Sequence, residues 1–246
     1  MAVESVTTLS PRPVVRTMLT QQWRQLTFLH WPVDPELVAG LLPAGTRPDT
    51  LAGVSYVGLV PFQMYRIGLF GAPGLPYLGT FAETNVRLYS VDGDGRRGVV
   101  FRSLEAARLL PVLVARTGVR LPYVWSSMRL RRDEDVLTYT SRRRWPGPRG
   151  LASRVGVRVG APITELTELE AFLTARWGLH VAWHGRTLYL PNEHPRWPLH
   201  RAELLQLDDG LVAAAGLSAP AAAPVSVLYS PGVAVRFGTP SVVRRY

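Results

Sequence analysis

Residues 81–91 of the chain, FAETNVRLYSV, and the turn that follows them, DGDG at 92–95, decide the fold. Side chains of two different kinds alternate along the first segment, which is typical of a β-strand because successive strand residues point to opposite faces. A glycine-containing turn follows, and the largely apolar residues 99–102 supply a second strand. The pattern therefore predicts an antiparallel hairpin in this part of the chain.

Further hairpin patterns occur along the sequence, whereas helix patterns are few. The predicted hairpins cover residues 127–142, 180–190 and 225–237, the last turning at Ser230-Pro231-Gly232. Helices are predicted after the N-cap Asp34, after Ser103, and over 168–177, where Thr167 and Glu170 form a capping box. Residues 66–79, rich in Gly and Pro, are predicted to form a long binding or lid loop. Many short strands with few helices favour a mainly β (α+β) protein built on an antiparallel sheet or barrel.

The absence of two residue types excludes several kinds of chemistry. All 28 basic residues are arginine, and the chain has neither lysine nor cysteine. Without lysine there is no side-chain Schiff base and no pyridoxal anchor. Without cysteine there is no thiolate nucleophile, disulfide, iron–sulfur cluster or cysteine zinc site. The bias toward Arg, Ala, Gly and Pro is also what a GC-rich genome produces, but the chemical consequence is the same.

The positive charge is concentrated in one segment. Residues 129–158 hold nine arginines and three acids, so they carry +6 of the net +10 of the chain. This distribution indicates a local anion site or a solvated hairpin rather than a continuous nucleic-acid surface. No nucleic-acid partner is expected, and an acidic protein partner for the arginine-rich surface stays open as an alternative.

Length and hydropathy predict one domain over residues 1–246, with residues 1–13 as a loose N-terminal arm. The first 20 residues have no secretory pattern, and no apolar stretch reaches the roughly 18 residues that span a bilayer. The expectation is a cytoplasmic protein without membrane attachment, either monomeric or a homo-oligomer.

The strand with Glu83, Asn85 and Arg87 carries the strongest candidate site. A carboxylate, an amide and a guanidinium on one strand face can together move a proton, orient a carbonyl group and bind a carboxylate. The alternative is that they form the solvent face of a half-buried strand. The opposite face, Thr84 to Ser90, is only moderately hydrophobic, which leaves room for the polar face to line a cavity.

Four more residues complete the predicted site. Tyr123 is a candidate hydrogen-bond donor to an oxyanion, and Trp125, Arg142 and His194 are candidate substrate-binding residues; each also has an ordinary structural explanation. No metal site is expected, because His180 and His184 on a strand do not converge. No cofactor is expected, since the GxGxxG string at 93–98 lies between two strands rather than before a helix.

Five segments in order resemble the uncharacterised YqjF-like family of the acetoacetate decarboxylase-like superfamily. They are Phe28-Leu29-His30-Trp31-Pro32-Val33, Val57-Gly58-Leu59-Val60-Pro61-Phe62, Glu83-Thr84-Asn85-Val86-Arg87, Leu121-Pro122-Tyr123 and Tyr229-Ser230-Pro231-Gly232-Val233. The resemblance extends over about residues 20–238. It implies a cone-shaped β-barrel wrapped by a curved antiparallel sheet, with a cavity inside the barrel.

The resemblance also bears on the chemistry. The true decarboxylases form a Schiff base through a lysine that follows a proline; here Tyr123 stands in the comparable position after Pro122. Glu83 is similar in context to a glutamate on their cavity-facing strand. The resemblance therefore implies that the pocket and the carboxylate are kept while the nucleophile is absent.

Two functions follow from these observations. The first is a lysine-independent enzyme, of lyase or cyclase type, that acts on a small anionic carbonyl compound (a keto acid or a polyketide-like intermediate) by dehydration, cyclisation or hydration. In it, Glu83 is the general acid or base, Tyr123 stabilises an enolate, Asn85 orients the carbonyl, and Arg87 or Arg142 binds a carboxylate. The second is a non-catalytic protein that binds a small molecule in the same cavity.

Overall fold

The structure, a computed structural model, describes residues 2–75, 77–118 and 120–244. Five residues of the predicted domain lie outside these ranges: Met1 of the predicted arm, Pro76 of the predicted long loop, Val119, Arg245 and Tyr246. Within them there are thirteen strands and four helices. The strands are β1 (Leu19–Val33), β2 (Thr46–Pro48), β3 (Ser55–Leu69), β4 (Phe81–Asp92), β5 (Arg97–Ala106), β6 (Tyr123–Asp133), β7 (Val136–Trp145), β8 (Ala152–Pro162), β9 (Gly178–Trp183), β10 (Arg186–Glu193), β11 (His200–Asp209), β12 (Ser226–Phe237) and β13 (Ser241–Val242). The helices are α1 (Pro35–Ala39), α2 (Leu109–Gly118), α3 (Glu168–Thr174) and α4 (Leu211–Ala214).

Nine strands close into a barrel in the hydrogen-bonded order β4-β5-β6-β7-β8-β11-β12-β1-β3, because β3 also pairs with β4. Its pairs are antiparallel except β5–β6, where α2 supplies the crossover that a parallel pair requires. The strands β9 and β10 connect β5 to β12 and close a second ring, β5-β9-β10-β12-β1-β3-β4. The predicted mainly β architecture is therefore confirmed.

Five strands (β12, β1, β3, β4 and β5) belong to both rings, so each has two covered faces. Residues 55–62 of β3 are all buried, as the apolar run predicts. On one face Leu59 and Val86 pack with Leu137 in the core of the nine-stranded ring. On the other face Val60 packs in a separate apolar cluster. This double burial is why the residues of β4 that alternate with its apolar positions do not face solvent.

The N-terminal arm, expected to be loose, lies against the barrel. The backbone N–H of Glu4 donates to the carbonyl of Gly95 at 3.0 Å, and Trp177 Nε1 donates to the carbonyl of Thr7 at 3.0 Å. Val14 is buried. These two hydrogen bonds, together with buried Val14 directly after the arm, hold the segment in place.

Two local predictions are wrong because long-range strand pairing overrides the local pattern. The helix predicted after Ser103 does not begin there: β5 continues to Ala106, which pairs with Glu83, and the helix starts at Leu109. The hairpin predicted over 225–237 is the single strand β12, which pairs with β1 in one unbroken register from Leu19 opposite Phe237 to His30 opposite Ser226. The hairpins predicted over 127–142 and 180–190 are confirmed as β6–β7 and β9–β10.

Gly232 explains how a turn-like sequence fits within β12. Its φ is +132°, and a Cβ atom there would stand 2.0 Å from the carbonyl oxygen of Trp23. Only glycine allows β1 and β12 to approach this closely beside Trp23.

No helix among the described residues is long and apolar enough to cross a membrane.

Candidate functional site

A cavity of about 290 Å³ lies within the seven-stranded ring. Its wall is mostly apolar and is built from β1, β3, β4, β5, β9, β10 and β12, with Tyr123 from the start of β6. Leu69 and Phe70, at the start of the predicted long loop, also line it, and Phe70 is 74% exposed. The cavity therefore reaches the surface beside this loop. A concave, largely apolar site with a few polar groups is typical of a small-molecule site.

Glu83, Asn85 and Arg87 all line this cavity. They share a face of β4 because strand side chains alternate, and β9 and β10 cover that face. Glu83 is 3% exposed and Asn85 is 6% exposed, while Arg87 is half-buried. Along the strand, Asn85 lies between the acid and the cation, each roughly 7 Å away along the backbone.

Tyr123 reaches Glu83 across β5. In the strand register Tyr123 lies opposite Leu104, and Leu104 lies opposite Asn85, two residues from Glu83. The Tyr123 hydroxyl donates a hydrogen bond of 3.1 Å to Oε2 of Glu83. The two residues that the sequence assigns to acid–base and oxyanion roles are thus in direct contact.

Burial governs the ionisation of this pair. Desolvation raises the pKa of Glu83 to about 8, although the hydrogen bond from Tyr123 acts in the opposite direction. Desolvation, together with the neighbouring Glu83, raises the pKa of Tyr123 well above its usual value. At pH 7 Glu83 is mostly a neutral acid and Tyr123 is a neutral donor.

Arg87 brings positive charge to the cavity. Its Nε donates to Tyr89 Oη at 3.1 Å, and its Nη2 donates to the carbonyl of Leu173 at 3.1 Å. These partners are neutral, and no carboxylate among the described residues forms an ion pair with Arg87. The guanidinium is therefore fixed in direction while its charge remains uncompensated.

Arg176 is a second cation of the cavity wall, and sequence reasoning missed it. It is buried, forms an ion pair with Asp49, and donates to the carbonyl of Phe172. Asp49 also accepts from Arg97 at 2.5 Å, so two cations share one carboxylate. With Arg87, this part of the site has an excess of positive charge, which favours an anionic ligand.

His194 lines the cavity within a group of aromatic rings. Its Nδ1 lies 2.7 Å from the carbonyl oxygen of Pro195. Because a carbonyl can only accept, Nδ1 carries the proton and Nε2 is the free acceptor of a neutral ring. Burial lowers the pKa of His194 to about 4, and the charge of Arg87 adds to that effect. The rings of Trp177 and Trp197 lie 4.5 and 4.7 Å from it.

Trp125 and Arg142 are not brought to this cavity. They line a separate, open groove together with Trp145 and Arg149. Trp125 is on the same face of β6 as Tyr123, but it lies two residues farther along the strand, opposite Trp145. Arg142 is exposed on β7. The cavity site therefore does not include these two predicted binding residues.

Sequence reasoning also missed Asn192, Gln21 and Trp23, which line the cavity. Asn192 follows the alternation of Leu188 and Leu190 in β10, so its face was predictable, although the cavity it faces was not. Gln21 and Trp23 come from β1, and Trp23 Nε1 donates to Gln21 Oε1 at 2.8 Å.

A Ser–His–Asp arrangement elsewhere is sealed inside the protein. Ser90 Oγ lies 2.8 Å from His180 Nδ1, and His180 Nε2 lies 3.3 Å from Asp92 Oδ2. All three side chains are buried, and Gly98 packs against the His180 ring. Ser90 is fully buried, so the cluster joins β4 to β9 rather than presenting a nucleophile to a substrate.

The sequence matches one protein family and one curated protein over most of its length. The profile of the DUF2071 family, described as an uncharacterized conserved protein, matches residues 20–234. The uncharacterized protein YqjF of Bacillus subtilis (strain 168) is 30% identical over 210 residues, which cover 85% of this chain and 86% of YqjF.

Solved structures share the fold at low sequence identity. The enduracididine biosynthesis enzyme MppR complexed with pyruvate has a TM-score of 0.61 and 13% identity, with 96% of this chain and 94% of MppR covered. Acetoacetate decarboxylase of Legionella pneumophila has a TM-score of 0.61 and 15% identity, with 96% and 93% covered. An acetoacetate decarboxylase-like enzyme from Sphingomonas wittichii RW1 has a TM-score of 0.60 and 13% identity, with 97% and 98% covered. The fold that the sequence resemblance implied is thereby confirmed.

Proposed function

Because the chain belongs to the DUF2071 family and has the acetoacetate decarboxylase-like fold, we propose that it is a lysine-independent enzyme for a small anionic carbonyl compound. The observation that carries the proposal is the hydrogen-bonded pair of buried Glu83 and Tyr123 in a cavity that also contains the uncompensated cation Arg87. Decarboxylation through a lysine Schiff base is excluded, since the chain has no lysine.

The proposed step is proton transfer at the carbon next to the carbonyl group. The carboxylate form of Glu83 takes the proton, the C–H electron pair moves into the C–C bond, and the carbonyl electron pair moves to oxygen. Once Glu83 is protonated, its negative charge is neutralised and it no longer requires the hydrogen bond from Tyr123. The Tyr123 hydroxyl is then free to donate to the enolate oxygen.

The ionisation of Glu83 suits this role. A base with a pKa of about 8 is stronger than an ordinary carboxylate, yet about a tenth of it is ionised at pH 7. The protonated form can return its proton to a leaving hydroxide, which is the second half of a dehydration, or to a carbon atom, which completes an isomerisation, cyclisation or hydration.

The remaining groups bind and orient the ligand. Arg87 is expected to face the carboxylate of the substrate, with Arg176 adding to the positive field and Asn85 facing the carbonyl region between Arg87 and Glu83. His194, neutral and packed between tryptophans, contributes a hydrogen-bond acceptor. A 2-keto acid is consistent with these features, and the fold relative MppR was solved with pyruvate.

The test is deuterium exchange at carbon in D₂O, followed by NMR, on a panel of 2-keto acids that includes pyruvate. We expect exchange with the wild-type protein, its loss in Glu83→Gln, and ligand binding by both. If the wild type binds an acid but catalyses no exchange and no turnover, the protein is the non-catalytic binder that shares this cavity. If Glu83→Gln exchanges as fast as the wild type, Glu83 is not the acid–base group.

A further inference from the structure

Two buried amides of the cavity have an oxygen atom without a protein partner. Oδ1 of Asn85 and Oδ1 of Asn192 accept no hydrogen bond from any described residue, and the side chains are 6% and 5% exposed. An unpaired buried acceptor is unfavourable, and most such atoms in folded proteins are satisfied. Both residues line the cavity, so a hydrogen-bond donor bound in the cavity can satisfy each of them.

The amides lie on opposite walls. Asn85 belongs to β4 and Asn192 to β10, and in the seven-stranded ring these strands are three steps apart in one direction and four in the other. The ligand therefore presents hydrogen-bond donors on two sides.

A third acceptor lies beside Asn192. His194 follows it by two residues and also lines the cavity, and its Nδ1–H is committed to the Pro195 carbonyl. Its Nε2 is therefore an acceptor as well. The β10 wall thus offers two acceptors, the Asn192 amide oxygen and the His194 ring nitrogen.

The charges decide which donors fit. An ammonium or guanidinium group on the ligand would be repelled by Arg87 and Arg176, and Asp49, the carboxylate paired with Arg176, already accepts from two arginines. Hydroxyl groups donate hydrogen bonds without adding positive charge.

We propose that the substrate is a hydroxylated keto acid, with its carboxylate toward Arg87 and with hydroxyl donors toward Asn85 on one side and toward Asn192 and His194 on the other. This inference rests on the proposed function, which it narrows from small anionic carbonyl compounds to those that carry hydroxyl groups. The apolar remainder of the wall accommodates the carbon skeleton, aliphatic or aromatic.

The first test needs no ligand. Asn85→Leu and Asn192→Leu replace each amide by an apolar side chain of similar size, so the unfolding temperature of the free protein should stay the same or rise. Thr27→Val is the matched control: Thr27 is also buried, but its hydroxyl donates to Tyr139 Oη at 3.0 Å. Losing a satisfied buried hydrogen bond should lower the unfolding temperature by several degrees. A comparable fall in both asparagine variants would overturn the inference, because it would mean that the amides are already paired.

The second test measures binding by calorimetry with pairs of acids that differ by one hydroxyl group. One pair is aliphatic, 2-ketobutyrate and 4-hydroxy-2-ketobutyrate; the other is aromatic, phenylpyruvate and 4-hydroxyphenylpyruvate. The wild type should prefer the hydroxylated member of at least one pair by tenfold or more, because the other member leaves an acceptor unpaired. Because each hydroxylated acid has a single added hydroxyl, one of the two variants, Asn85→Leu or Asn192→Leu, should abolish that preference. The pair that shows it identifies the skeleton.

The outcomes separate this inference from the proposed function. A hydroxyl preference without deuterium exchange keeps the inference and removes the catalytic role. Exchange without any hydroxyl preference keeps the catalytic role and overturns the inference, as does a preference that survives in both asparagine variants. Failure of every hydroxylated acid to bind also overturns it.

Discussion

The Tyr123 hydroxyl donates to Glu83 Oε2 at 3.1 Å across an intervening strand; Glu83 is buried and Tyr123 is half-buried. Glu83 and Tyr123 lie on strands that are not neighbours, because β5 lies between β4 and β6 and sets the register of both. The parallel pairing of β5 with β6 places Tyr123, the first residue of β6, beside the cavity. The contact therefore depends on the topology of the barrel rather than on local sequence.

Tyr123→Phe should raise the pKa of Glu83 above about 8, since the hydrogen bond from Tyr123 lowers it. The pH at which deuterium exchange reaches half of its plateau should move upward. The plateau itself should fall on the order of 100-fold, because the enolate loses its donor. The pH–rate profile of the two proteins on one keto acid checks both effects. An unchanged midpoint would show that the hydrogen bond does not act on the base.

Glu83 should make stability depend on pH in a defined direction. Its pKa is about 8 in the folded protein and near 4.5 when unfolded, so between these values only the folded state holds the proton. The contribution is fully present below pH 4.5 and is lost as the pH rises toward 8, by up to about 1.4 kcal/mol per pH unit. Urea unfolding of the wild type and Glu83→Gln from pH 5 to 8 isolates this slope, because other groups contribute equally to both. A constant difference in unfolding free energy would contradict a buried neutral acid.

Arg87→Met should weaken the binding of keto acids about tenfold or more, since a charge-assisted hydrogen bond to the carboxylate is lost. Arg142→Met is the matched control, because Arg142 lies in the separate groove. Calorimetric titration of both variants with one acid compares the two sites directly. Equal losses in the two variants would indicate a long-range effect of charge instead of a contact at Arg87.

Gly232→Ala should destabilise the barrel strongly. The new Cβ would meet the Trp23 carbonyl at 2.0 Å, whereas Gly53, also at positive φ, has nothing within 4 Å. Gly53→Ala should therefore cost about 1 kcal/mol for its backbone conformation alone. Gly232→Ala should cost several kcal/mol more, because β1 and β12 must separate. Thermal unfolding of the two variants measures the difference, and similar losses would mean that β1 and β12 separate at Gly232 with little loss of stability.

The mainly β class and the shared face of Glu83, Asn85 and Arg87 could be predicted from the sequence. The alternation of side chains along a strand can be recognised within the strand itself. Whether that face meets solvent or a cavity could not be read locally. It depends on β9 and β10, which lie some 90 residues farther along the chain and close the second ring.

Other parts of the site depended on the same long-range pairing. Arg176 and Asn192 enter the cavity from elements that no local motif connects to β4. The density of arginines pointed instead to Arg142, which lies on the exposed side of β7. The hairpin predicted around Gly232 and the helix predicted after Ser103 were wrong for a related reason. In both segments, strand pairing outweighed the local preference for a turn or a helix cap.

Direct titration of the Glu83 carboxyl group tests the central claim most simply. In protein labelled with ¹³C at the glutamate carboxyl carbon, the resonance that is missing from Glu83→Gln is followed from pH 4 to 10. We expect a midpoint of about 8. A midpoint near 4.5, the ordinary value, would mean that Glu83 is solvated and ionised at neutral pH, and the acid–base role proposed for the Glu83–Tyr123 pair would be lost.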